Sequence, residues 1–230
     1  FDMRKFVLSI LPGILALLVW AKPSEPSDHG VWRVMTPETQ GPAARFGHTA
    51  VYDSTNHRML LYGGRNLTHF FNDVWSLDLS GCALEWTSLA PDSPVSGGPS
   101  GRSDHLMVLD APRNRLIVTT GQLSTTPAVS DTTWAFDLST HAWHRVSVGG
   151  TVPCPRQGAS VSAINADSMF VFGGFGAFDN WDYFIYSMKD STWNALQNPA
   201  CTFSNCSAKS SIYCNPNSNQ PGPRWYHKTV

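Results

Sequence analysis

The chain has 230 residues, 42% of them hydrophobic and 14% charged, with a formal net charge of -1. That length holds one large domain or two small ones, and near-neutrality without a basic run excludes the electrostatic footprint of a nucleic-acid binder. Nine Trp and 12 Phe beside 18 Gly and 16 Pro join large apolar anchors to turn formers, which excludes a disordered chain and favours short strands.

The first element is an export signal. Arg4 and Lys5 precede an apolar run over residues 6–20, and Val19-Trp20-Ala21 offers a cleavage boundary. A membrane span needs about 20 apolar residues, and this run is shorter and broken by Pro12-Gly13. Residues 1–21 are therefore read as a signal peptide, with Met3 as the start and Lys22 as the first mature residue.

Residues 31–35 form the next strand, and a repeat follows. Its first copy, residues 45–90, runs Arg45-Phe46-Gly47-His48, Met59-Leu60-Leu61-Tyr62-Gly63-Gly64, Asn72-Asp73-Val74-Trp75 and Glu85-Trp86. The second, residues 102–148, gives Arg102-Ser103-Asp104-His105, Leu116-Ile117-Val118-Thr119-Thr120-Gly121, Thr133-Trp134-Ala135-Phe136 and Ala142-Trp143. The third, residues 156–197, gives Arg156-Gln157-Gly158-Ala159, Met169-Phe170-Val171-Phe172-Gly173-Gly174, Tyr183-Phe184-Ile185-Tyr186 and Thr192-Trp193. A fourth opens over residues 223–230 at Pro223-Arg224-Trp225-Tyr226-His227. Each copy holds four short β-branched or aromatic runs separated by turn residues, so it reads as four antiparallel strands. Trp86, Trp143 and Trp193 are expected to pack inside these sheets.

The Gly-Gly pair after an apolar strand, the Asp-Val-Trp segment and the Trp one hairpin later resemble the kelch family. The resemblance covers nearly everything from Val31 onward. Two departures stand out: Thr120 replaces the first glycine of its pair, and Phe184 stands where the other copies have Trp. The family implies an all-β, kelch-type β-propeller, here three blades over 22–230 and the start of a fourth. It also implies that residues 31–35 close the ring by completing a blade made further along the chain. Propellers carry 4–8 blades, so further blades are expected.

Alternating strand direction places the loops between second and third strands (65–72, 122–131, 175–182) on one face with the connectors between blades (90–101, 148–155, 198–223). This face carries His69 and the candidate binding aromatics Phe70, Phe71, Phe175, Phe178 and Trp181; burial of each beneath its own loop is the alternative. Arg45, Arg102, Arg156 and Arg224 recur at the blade entrances and are expected to bond backbone carbonyls between blades, or to face an anionic ligand. His48, His105 and His227 follow three residues later, but equivalent positions on adjacent sheets lie about 10 Å apart, too far for zinc–nitrogen bonds of about 2.0–2.1 Å. No metal, cofactor or catalytic residue is expected.

Asn66-Leu67-Thr68 and Asn205-Cys206-Ser207 are glycosylation sequons, given export. Cys201, Cys206 and Cys214 crowd the insert over residues 198–222, and with Cys154 they are disulfide candidates in an oxidising compartment; Cys82 lies on the opposite face. The expected function is a secreted or cell-surface protein that binds a protein or glycan through this face, without nucleic acid, and with a membrane only if an anchor lies beyond Val230. The alternative is the N-terminal part of a galactose-oxidase-like copper oxidase or a sugar-acid mutarotase.

Overall fold

The computed structural model describes residues 34–81, 83–93, 97–124, 128–176, 182–196 and 226. Strands β1 (Thr49–Asp53), β2 (Arg58–Tyr62), β3 (Val74–Asp78) and β4 (Glu85–Ala90) form one antiparallel sheet in chain order. The turn between β1 and β2 is fixed by Asp53, whose carboxylate accepts from the Asn56 side chain at 2.8 Å and from Arg58 Nε at 2.9 Å. These local bonds hold the hairpin register.

The second blade contains β5 (Arg102–Ser103), β6 (Leu106–Asp110), β7 (Arg115–Thr119), β8 (Gln122–Leu123), β9 (Thr133–Asp137) and β10 (Ala142–Arg145). Its four long strands lie in the order β10-β9-β7-β6, while β5 and β8 pair separately beside them. A single 3-10 turn, Ala111–Arg113, with Asn114 in the left-handed region, closes the β6–β7 hairpin. The third blade contains β11 (Gly149–Gly150), β12 (Arg156–Gln157), β13 (Ser160–Asn165), β14 (Ser168–Phe172), β15 (Phe175–Gly176), β16 (Tyr183–Ser187) and β17 (Thr192–Ala195). Here the four-strand expectation falls short by one, because β11 adds to the outer edge in parallel with β17.

The all-β class and the repeated four-stranded antiparallel unit are what the sequence predicts. The sheets stack face to face, with the inner strands β1, β6 and β13 side by side. Two cores result. Leu60, Tyr62 and Val74 meet Met107, Leu116, Val118 and Phe136 between the first two blades. Leu106, Val108, Ile117 and Ala135 meet Met169, Val171, Phe184, Tyr186 and Trp193 between the second and third. Side chains alternate across a strand, so Leu116 and Val118 serve one core and Ile117 the other. That explains the unbroken apolar run of β7.

Of the three outer-strand tryptophans only Trp193 is fully buried; Trp86 and Trp143 are half-buried. Each of the latter is covered by the connector that enters its own blade. A Cβ on Gly41 would lie 2.7 Å from Trp86 Cδ1, and one on Gly98 would lie 2.9 Å from Trp143 Cδ1, so the backbone crosses the indole only where no side chain intervenes. Phe184, in place of the tryptophan, is buried, whereas Trp75 and Trp134 are half-buried with their indole N–H donated to Asp73 and Thr132. The predicted signal peptide lies outside the described residues, as does most of the strand over 31–35; Val34 and Met35 are exposed and in no strand.

Candidate binding face

The three described entrance arginines share a pair of backbone bonds, and two of them also grip a carboxylate. Arg45 donates from Nε to Ala43 O at 3.0 Å and from one terminal nitrogen to Gly63 O at 2.9 Å, and its two terminal nitrogens grip Asp73 at 2.5 and 2.9 Å. Arg156 repeats this with Cys154 O, Gly173 O and a bidentate pair to Asp182. Arg102 bonds Ser100 O and Thr120 O, but has Thr132 in the carboxylate position. The carbonyl partners therefore lie within the arginine's own blade, not between blades as expected. An arginine fork is better satisfied by a planar carboxylate close at hand than by a carbonyl on the next sheet.

It is the arginine backbone that links blades. Gly64 N–H donates to Arg102 O at 2.8 Å and Arg102 N–H to Phe71 O at 3.2 Å; Gly121 and Ser130 repeat this pair with Arg156. A second latch runs through residues with positive φ, Gly47, Asp104, Gly158 and Tyr226. Asp104 N–H donates to Gly47 O, Gly158 N–H to Asp104 O and Tyr226 N–H to Gly158 O, at 2.7–2.9 Å. Side-chain-independent bonds of this kind tolerate sequence drift between repeats.

The latches carry the loops. Phe46 pairs with Arg65, Arg102–Ser103 with Gln122–Leu123, and Arg156–Gln157 with Phe175–Gly176, so each inner loop is bridged to its own blade entrance. Loop 65–72 is also tied to the connector after β4: Asn72 N–H and His69 Nε2 bond Asp92 at 3.0 and 2.6 Å, and Asn72 exchanges bonds with Ser93. The face is a braced surface.

Phe71 is not part of that surface. It is buried, with the Arg45 guanidinium 3.9 Å above its ring, because the cation gripped by Asp73 needs an apolar floor. Phe70 is half-buried beside Arg65, and Phe175 is 43% exposed; Phe178 and Trp181 lie outside the described residues. Sequence reasoning missed Phe46 at 48% and Leu67 at 95% exposure, and Tyr226, also exposed, on the same face. Their signal was position: Phe46 directly follows an entrance arginine, and Leu67 is the loop tip.

Asn66 is held by its own turn, its carbonyl oxygen accepting from Thr68 N, Thr68 Oγ1 and His69 N at 2.8–3.2 Å. Asn205, Cys201, Cys206 and Cys214, with Arg224 and His227, lie outside the described residues. Cys154 is disulfide-bonded. The inner strands line a groove of about 550 Å³, whose lining contains Tyr52 but no cysteine, so among the described residues no Cys–Tyr pair of the copper-oxidase kind faces it.

The repeated histidines have different surroundings: His48 is exposed and His105 is buried against Tyr62. Burial pushes His105 down to about 3, helped by the nearby Arg102 and His48 charges. The native state thus refuses a proton that the unfolded chain accepts below about pH 6.5, and stability falls with pH between about 6.5 and 3. From pH 7 to 5 this loss is about 2 kcal/mol. Urea unfolding at pH 7 and 5 should show the drop in the native chain and a smaller one in His105→Gln.

Four-stranded antiparallel sheets, stacked face to face with braced loops on one rim, define a β-propeller repeat protein. Residues 26–220 match the family model of the KLHDC2/KLHL20/DRC7 Kelch-repeats domain. The chain belongs to the kelch-repeat family. It is similar to the Rab9 effector protein with kelch motifs of Xenopus laevis, 27% identical over 78% of this chain and 49% of that protein. It is also similar to Kelch domain-containing protein 3 of Bos taurus, 29% identical over 61% of this chain and 37% of that one, and to the Host cell factor homolog hcf-1 of Caenorhabditis elegans, 28% identical over 63% and 20%. The chain spans about half or less of the length of these curated relatives.

Proposed function

We propose that this chain is part of an exported kelch-repeat protein that binds a protein or glycan partner through the loop-bearing face. The observation that carries the reading is the exposure of Phe46, Leu67 and Phe175 on loops already braced by backbone bridges. Exposed apolar side chains on a rigid scaffold bind with little ordering cost. By its name the Xenopus relative is an effector of Rab9, and protein interaction is the function class this supports here.

Export rests on the charged start, apolar run and small-residue boundary of residues 1–21. Disulfide-bonded Cys154 and the Asn66 sequon fit an oxidising, glycosylating compartment. In secretory cells the chain displayed with Phe46→Ser, Leu67→Ser and Phe175→Ser should bind its extracellular partner about 30-fold or more weakly, the ~2 kcal/mol that marks an interface anchor. Substitutions in the Ser54-Thr55-Asn56 turn should leave affinity unchanged. The reverse pattern would place binding on the other face.

A further inference from the structure

The guanidinium fork that grips a carboxylate in the first and third blades stands open in the second. Arg102 is 2% exposed. Its Nε donates to Ser100 O and one terminal nitrogen to Thr120 O, leaving for the carboxylate position only Thr132 Oγ1, at 3.4 Å. That hydroxyl is already engaged by Ser130 Oγ at 2.8 Å and Trp134 Nε1 at 3.2 Å. Among the described residues no carboxylate reaches Arg102: Asp73 is held by Arg45 and Trp75, and Asp92 by His69 and Asn72.

The surroundings are short of acceptors as well. Thr120 Oγ1 is buried without a hydrogen-bond partner, and Tyr62 OH and the His105 ring make no bond of good geometry, their polar neighbours being the side chain and the backbone of Arg102. Tyr62 packs on His105 with ring centroids 4.9 Å apart. A Cβ on Gly63 would touch both Arg102 O and His105 Cε1, and one on Gly121 would lie 2.7 Å from His105 Cβ. These groups therefore lie together at the junction of the first two blades. Thr120 is also a β-branched residue at φ +63, a strained conformation of the kind that gathers at binding sites. A buried cation without a counter-charge is strongly unfavourable, and the poorly paired polar groups beside it add to that cost.

We propose that the second blade binds a small monovalent anion, of chloride or formate size, at the open terminal nitrogens of Arg102, where its neighbours place the carboxylates of Asp73 and Asp182. Arg102 supplies the charge, and the Tyr62 hydroxyl beside its side chain is a donor for the same ion. The anion binds the folded state alone and so stabilises it by mass action. Because Arg102 is buried, size discriminates between anions. Small ones enter and gluconate does not.

The test is thermal unfolding of the chain at fixed ionic strength, with gluconate exchanged for chloride, bromide or formate. The melting temperature should rise with the logarithm of small-anion concentration and stay flat in gluconate; chloride and formate slopes separate the spherical from the planar ligand. Thr132→Asp supplies an internal carboxylate, so this variant should melt higher in gluconate and lose the anion response. An equal response to gluconate and chloride, or an unchanged chloride slope in Thr132→Asp, would overturn the proposal. Should that variant fail to fold, bromide anomalous scattering from the native chain decides: a peak at the Arg102 terminal nitrogens supports the site, and water alone there refutes it.

Discussion

Replacing Asp182 with alanine is expected to destabilise the third blade by about 3–5 kcal/mol, the cost of leaving one member of a buried ion pair without its partner. Arg156 is fully buried, and the two oxygens of Asp182 hold both its terminal nitrogens. Remaining bonds to Cys154 O and Gly173 O satisfy protons but not the charge. Phe184 lies 5.3 Å beneath the guanidinium and offers it no replacement charge. The check is the urea midpoint of Asp182→Ala against the native chain, with Asp182→Leu/Arg156→Met as control. The double variant should recover most of the loss, because an apolar pair of similar volume is often as stable as a buried ion pair. A loss under about 1 kcal/mol in the single variant would show a solvated pair.

The sequence carried the fold because three kinds of mark recur in fixed order: an arginine at each entrance, glycines after the second strand, a tryptophan on the outer edge. Each has a local cause now visible, the fork to the carbonyl of Gly63 or Gly173, the latch through Gly64 or Gly121, and the indole under Gly41 or Gly98. Asp73, Thr132 and Asp182 form a fourth column that was legible too, and comparing the copies there would have shown both the carboxylate clamp and its loss in the second blade. Strand β11 was not legible. Gly149-Gly150 has no strand propensity, and its pairing with Thr192 and Trp193 depends on where the connector is led.

The face was legible as a face, but its individual side chains were not. Phe70 and Phe71 are neighbours with equal hydrophobicity, yet Phe71 is buried under Arg45 while Phe70 lies half-buried beside Arg65. The difference lies in a contact between residues 26 apart in sequence, which no local pattern records. Phe46 was hidden for the opposite reason. It sits inside a repeated motif, where Ser103 and Gln157 occupy the equivalent position, and motif residues read as architecture until a structure shows which of them point outward.

Trp193→Ala should also cost about 3–5 kcal/mol, and the comparison with Trp86→Ala tells whether burial or the repeated position sets the cost. Trp193 is 1% exposed and packs on Tyr186 and Phe184 with ring centroids at 4.7 and 6.1 Å, between the second and third blades. Trp86 holds the same place in its blade but is half-buried, meeting Trp75 at 6.4 Å and the connector at Gly41. Area removed from water scales the loss at about 25 cal/mol per Å², and a cavity adds to it only where the site cannot collapse. Trp86→Ala should therefore lose about half as much. Trp193→Phe should be milder than its lost area implies, since the indole N–H of Trp193 is buried without a partner and its removal relieves that cost. Urea unfolding of the three variants gives the order, with Trp193→Ala least stable. Equal losses for the two alanine variants would mean that repeat position, not depth of burial, governs stability.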